Sequence, residues 1–173
     1  MVRCGYLILF FLVWDSFSFI SAQAENDSET TDGLLCFNEV GISSGIRFRH
    51  TDGRHGEKYY LETPGSGLAW LDYDNDGDSD LYFVNSTDVS GRDSVLPSTN
   101  ALYRNNGNGS FTDVTVDAGV NHEGYGFGCC VGDYDNDGFK DIYITNFGVN
   151  VLYHNNGNGT FTDVTKEAGV GDE

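Results

Sequence analysis

Residues 72–80 read Asp-Tyr-Asp-Asn-Asp-Gly-Asp-Ser-Asp, and residues 133–141 read Asp-Tyr-Asp-Asn-Asp-Gly-Phe-Lys-Asp. Each stretch sets aspartates at its first, third, fifth and ninth positions, with glycine at the sixth. In a tight loop these odd-numbered carboxylates converge, and charges that close repel one another strongly without a cation. An all-oxygen donor set without His or Cys indicates a hard ion, calcium ahead of magnesium or manganese. The expected ligands are Asp72, Asp74, Asp76 and Asp80 in one loop and Asp133, Asp135, Asp137 and Asp141 in the other. The seventh position supplies a backbone carbonyl, from Asp78 and Phe139, so an apolar side chain is tolerated at 139. Gly77 and Gly138 permit the sharp turn. An EF-hand needs a bidentate Glu at position twelve and flanking helices. Here position twelve is Phe83 or Ile144, inside an apolar run. Two strand–loop–strand calcium sites are therefore expected. One such loop alone would read as a solvated turn, but two copies with matched acids do not.

A second repeat lies beside the first. Residues 102–115, Leu-Tyr-Arg-Asn-Asn-Gly-Asn-Gly-Ser-Phe-Thr-Asp-Val-Thr, return at 152–165 with an offset of 50, and both copies run on to Ala-Gly-Val. The aspartate loops return with an offset of 61, and the 11-residue difference falls in the polar stretch 86–100, an enlarged loop holding Pro97. A period near 50 residues built of strand-like pieces points to a propeller or a solenoid. Each unit divides into four strands: residues 67–71, 81–84, 101–104 and 111–115 in one, and 128–132, 142–145, 151–154 and 161–165 in the other. The Asn-Asn-Gly-Asn-Gly turns join the third and fourth strands as hairpins, because Asn and Gly accept positive φ. The first strand is rich in small residues, which suits an inner strand near a crowded axis. The second is apolar without clean alternation, as when both faces are covered. The expected fold is all-β, a partial β-propeller of about two four-stranded blades. The repeat region spans 37–173, with units at about 37–110 and 111–160 and the start of a third at 161–173.

The N-terminus reads as a targeting segment. Arg3, the apolar run 6–14 and the Ala-Gln-Ala at 22–24 make residues 1–24 a secretory signal peptide. Residues 25–36 then form a flexible polar segment. The apolar run is too short to span a bilayer and is interrupted by Asp15. The remaining chain carries Cys36, Cys129 and Cys130 with no Cys-x-x-Cys spacing, which argues against a zinc or redox site. Adjacent Cys129 and Cys130 point to opposite faces of a strand and read as small buried side chains. A net charge of −18 excludes nucleic acid as a partner, because a phosphate backbone needs a basic face. With 39% hydrophobic and 14% aromatic residues, the chain is no disordered acidic tail. His50, His55, His122 and His154 show no metal-ligand spacing, and His154, standing where the other repeat has Arg104, reads as a strand-surface residue. The most site-like remainder is the basic-aromatic stretch 50–60, with Arg54, Lys58, Tyr59 and Tyr60, either a glycan contact or a wet hairpin.

The loops, the preceding strand at 126–133 and the Asn-Asn-Gly-Asn-Gly hairpins resemble FG-GAP/VCBS repeats, which build the integrin-α type of β-propeller. The phrases Gly41-Ile-Ser-Ser-Gly-Ile-Arg-Phe48 and Gly65-Ser-Gly-Leu-Ala69, followed by the first loop, are similar to secreted ASPIC/UnbV proteins, the cartilage acidic protein-like group. The resemblance covers about residues 37–170. It implies calcium on the two aspartate loops and an extracellular binding or adhesion role. Asn85-Ser-Thr and Asn146-Phe-Gly stand in place of the family's Gly-Ala-Pro, so the resemblance carries the calcium loop and not an integrin-type ligand site. Two units are fewer than a closed propeller needs, so the chain reads as the N-terminal part of a longer protein or a truncated product.

The expected function is a secreted or extracytoplasmic calcium-binding module that binds a protein or glycan ligand, at the cell surface, outside the cell or in a periplasm. The alternative is part of a secreted calcium-dependent carbohydrate-active enzyme, although no nucleophile–base motif is present. Open blade edges favour self-association. Asn26, Asn85, Asn108 and Asn158 begin glycosylation sequons.

Overall fold

The computed structural model describes residues 7–13, 16–23, 36–53, 60–87 and 98–171. The expected cleavage point at Ala24, the following polar residues to 35, sequon Asn26, Arg54 to Tyr59 and most of the enlarged loop lie outside the described residues. The chain forms two compact units, Met1–Arg49 and His50–Glu173. In the first, β1 (Leu7–Val13), β2 (Ser16–Gln23) and β3 (Cys36–Glu39) make one antiparallel sheet in that order.

The second unit holds two four-stranded meanders. The first sheet runs β4 (Leu68–Leu71), β5 (Asp80–Phe83), β6 (Ala101–Asn105) and β7 (Phe111–Asp113), followed by a helical turn, α1 (Thr115–Ala118). The second runs β8 (Tyr125–Gly132), β9 (Asp141–Phe147), β10 (Val151–Asn155) and β11 (Phe161–Asp163), followed by α2 (Thr165–Ala168). All neighbours are antiparallel. The fold is thus mostly β, with two blade-like sheets as the repeat implies. The boundaries expected at 110/111 and 160/161 fall inside the β6–β7 and β10–β11 hairpins, so the sheets are framed differently from the repeat units. The fourth strands end earlier than expected. Thr115 and Thr165 leave the sheet because Asp113 and Asp163 each accept a hydrogen bond from the backbone N–H and the hydroxyl of the threonine two residues on. That local turn competes with strand pairing. Each helical turn ends on a left-handed glycine, Gly119 or Gly169.

The core lies between the two sheets. Leu71, Tyr73, Tyr82, Val84 and Leu102 of the first face Ile142, Ile144, Val151, Tyr153 and Phe161 of the second, with Ala118 and Val120 beside them. Tyr73 stacks on Phe161 with ring centroids 6.3 Å apart. The first strands approach so closely that a Cβ at Gly67 would stand 2.8 Å from the Gly128 Cα. This close approach explains Gly67, just before β4, and Gly128 in β8. In β5, Asp80 to Phe83 are all buried, so both faces of that strand are covered, as its sequence implies. In β9 one face is buried by Ile142 and Ile144 while Tyr143 is only half-buried and Thr145 is exposed. The same asymmetry corrects the expectation for the cysteines. Cys129 packs against the core, but Cys130 is exposed, because the strand alternation turns it to the other face of the second sheet, away from the first.

Candidate metal centre

The two aspartate loops are built by the same hydrogen bonds. Asp72 accepts the backbone N–H groups of Asp76 and Gly77 on its two oxygens, at 3.1 and 3.0 Å. Asp133 does the same for Asp137 and Gly138, at 3.0 Å each. The Asp76 carboxylate accepts from the Asp78 N–H at 2.8 Å, and Asp137 from the Phe139 N–H at 2.9 Å. Asn75 and Asn136 adopt φ of 58° and 60°, and Gly77 and Gly138 follow at 92° and 96°. Asn tolerates that region and Gly adopts it freely, which explains the Asn-Asp-Gly core of each loop.

The ninth-position acids are the buried anchors. Asp80 is fully buried and accepts from Tyr73 N–H at 3.0 Å and Asn105 N–H at 2.7 Å. Asp141 accepts from Tyr134 N–H at 3.0 Å and Asn155 N–H at 2.8 Å. Asn105 and Asn155 open the hairpin turns, so each hairpin is tied to the base of its loop. In the sequence both stand out only as turn formers. The available signal was that Asn105 and Asn155 keep the same offset of 50 as the rest of the hairpin repeat.

Carboxylate oxygens of Asp72, Asp74 and Asp80 lie within 4.8 Å of one another, as do those of Asp133, Asp135 and Asp137. A third group of that span joins Asp135 and Asp141 to a nitrogen of His154. Thus the structure gathers Asp72, Asp74 and Asp80 in the first loop and all four expected acids in the second, in two overlapping sets. Asp76 and Asp78 are exposed at the rim of the first loop, and Phe139 is partly buried in the second.

The electrostatics of the first loop suit cation binding. Burial raises the Asp80 carboxyl to about 6, despite its two N–H donors, and the neighbouring Asp74 and Asp76 add to the shift. Asp74 is also raised, first by burial and then by Asp76. One buried oxygen of Asp74 has no hydrogen-bond partner. A buried acceptor without a partner in a cluster of acids suits a cation ligand.

His154 requires a correction. It is no free strand-surface residue: its side chain is 23% exposed, and Nδ1 lies 3.4 Å from both Asp135 Oδ2 and Asp141 Oδ1. Spacing along the chain hid this, because β10 reaches the loop through sheet register. Among the described residues, the remaining expected ones form no comparable group. Tyr60 is exposed in a short 3-10 turn, Tyr60–Glu62. Asn85 is buried, with its side chain hydrogen-bonded to Thr51 and Thr99, which removes that sequon as a glycan acceptor in the folded chain. Asn108 and Asn158 are exposed.

Among the described residues no helix is long and apolar enough to cross a membrane. No curated protein matches the chain. A family model for the FG-GAP-like repeat matches residues 72–144 and again 133–172, beginning on each aspartate loop and together covering more than half of the chain. Such repeats form β-propeller modules, found mainly in extracellular proteins and often in binding or adhesion roles. The chain belongs to the FG-GAP-like repeat family.

Proposed function

We propose that this chain is a secreted, calcium-dependent β-propeller repeat module that binds an extracellular protein or glycan ligand. The observation that supports it is the hydrogen-bonded frame shared by the two loops, with acids gathered in each and, in the first, an open buried oxygen of Asp74. Asp72, Asp74, Asp76 and Asp80, with the Asp78 carbonyl, hold one ion. Asp133, Asp135, Asp137 and Asp141, with the Phe139 carbonyl, hold the other. Bound calcium neutralises the acids and fixes each loop between its first and second strands. The chain's own residues do the rest: Asn105 and Asn155 set the depth of the buried acid, and the positive-φ Asn-Asp-Gly turn brings the outer acids over it.

The reading includes residues 1–24 as a cleaved signal peptide and 37–173 as the repeat region. It also includes kinship with the secreted ASPIC/UnbV group and self-association through open blade edges. N-terminal sequencing of the exported chain tests the first. Calorimetry tests the calcium reading, and a folded chain that takes up no calcium overturns it. Incubation with polysaccharide arrays separates a binding module, which retains glycan without turnover, from the alternative carbohydrate-active enzyme, which releases products.

A further inference from the structure

The two loops share their acids but not the residue above them. Position 104 is arginine over the first loop and position 154 is histidine over the second. Arg104 brings a permanent positive charge, and its field reaches Asp74. His154 brings a nitrogen lone pair, with Nδ1 buried and without a hydrogen-bond partner. That atom stands 3.4 Å from Asp135 Oδ2 and 3.4 Å from Asp141 Oδ1. Two donors bound tetrahedrally at zinc distances of about 2.0–2.1 Å stand about 3.4 Å apart, so the spacing matches neighbouring ligands of one ion. The other ring nitrogen, Nε2, faces Asp137 Oδ2 at 4.0 Å. With its proton on Nε2, the neutral imidazole presents the Nδ1 lone pair between the two carboxylates, as a metal-binding imidazole does.

We propose that the second loop is a mixed nitrogen–oxygen site which takes zinc or a similar transition-series divalent cation through His154, Asp135 and Asp141. The first loop remains an oxygen-only site. This deepens the reading of both loops as cation sites and rests on it. Imidazole suits zinc, copper and nickel, whereas carboxylate and carbonyl oxygens suit calcium. Asp135 belongs to both donor sets of the second loop, the oxygen-only group with Asp133 and Asp137 and the mixed group with Asp141 and His154. One ion therefore excludes the other there, and zinc displaces calcium from the second loop alone.

The test is competition calorimetry on the full chain, with calcium, with zinc, and with zinc added to the calcium-loaded protein. It is run beside His154→Arg, which copies the residue of the first loop and keeps the chemistry that loop already accommodates. The expected result is two calcium sites, of which zinc displaces one. His154→Arg keeps both calcium sites and weakens zinc binding about a hundredfold, since losing even an outer-shell partner of a metal costs 10–100-fold. Cobalt substitution gives a second readout: visible bands of a nitrogen-bearing site in the native chain, absent from the variant. Zinc displacing calcium equally from both loops, or unaltered zinc binding and cobalt spectra in His154→Arg, overturns the inference and leaves the calcium reading standing. Absence of calcium binding to either loop overturns that underlying reading instead.

Discussion

The two sheets are near-copies in sequence but not in environment. Tyr82 is fully buried, while its counterpart Tyr143 is only half-buried. Both donate a hydroxyl hydrogen bond to the carbonyl of the valine after the helical turn, Val120 or Val170. Tyr73 is 4% exposed and Tyr134 is 51% exposed. Ala118 is buried beneath the second sheet, and Ala168 is exposed. In every pair the buried member faces the neighbouring sheet. The other lies on the far face of the second sheet, where Cys130, Gly132, Tyr134, Tyr143 and Leu152 line a groove of about 130 Å³. The strand sequence sets hydrogen bonding and local turns, and the neighbour sets burial. Repeat proteins derive much of their stability from such interfaces.

The largest expected difference follows from this. Tyr82→Ala removes a buried ring, whose hydroxyl also accepts a bond from Asn100, and costs about 3–5 kcal/mol. Tyr143→Ala costs about 1 kcal/mol, as for an ordinary substitution. Urea denaturation of the two variants measures the gap. Equal losses would mean that the far face is covered in solution.

Next in size is a pair of asparagines. Asn105 donates to the Ser79 carbonyl beside its own loop. Asn155 donates to the Lys140 carbonyl of its own loop and, at 2.8 Å, to the Tyr73 carbonyl of the first. It thus joins the two loops. Asn155→Ala leaves a buried carbonyl unpaired and costs about 1–3 kcal/mol more than Asn105→Ala. Chemical denaturation gives the difference, and calcium titration of Asn155→Ala should weaken both sites where Asn105→Ala weakens one.

Calcium itself contributes less. Extracellular sites have dissociation constants of about 10⁻⁴–10⁻³ M. At about 1 mM calcium each loop then gains roughly 0.4–1.4 kcal/mol. Thermal melts in calcium and in chelator read this gain, and Asp76→Ala and Asp137→Ala should each remove about half of it.

The smallest effect is chemical. Burial, and then the neighbouring thiol, push Cys129 up to about 12. The folded chain at pH 8 therefore alkylates at exposed Cys130 well before Cys129, which fragment-ion mass spectrometry resolves. Modification of Cys129 first would place the wrong face against the core.

Much of this was legible in the chain. The repeated acids, the Asn-Asp-Gly turns and the apolar second strands carry local geometry, and local geometry repeats when sequence repeats. Two kinds of fact were not legible. One is contact through register: His154 and Asn155 meet the second loop because β10 pairs with β9, placing Tyr153 opposite Ile142. The other is burial by a neighbour. Cys130 and Ala69 occupy equivalent repeat positions, yet Cys130 is exposed where Ala69 is partly covered. Nothing within either strand specifies that difference. The helical turns lay between these cases, since Asp-Val-Thr followed by Ala-Gly-Val held the signal but read as the tail of a strand.

Above all, each of the two aspartate loops is expected to be a calcium site of its own. Isothermal calorimetry of calcium into the full chain, beside Asp76→Ala and Asp137→Ala, tests it most directly. Two equivalents are expected for the native chain and one for each variant. A folded chain that releases no heat on calcium addition, or a single substitution that abolishes both sites, would contradict it.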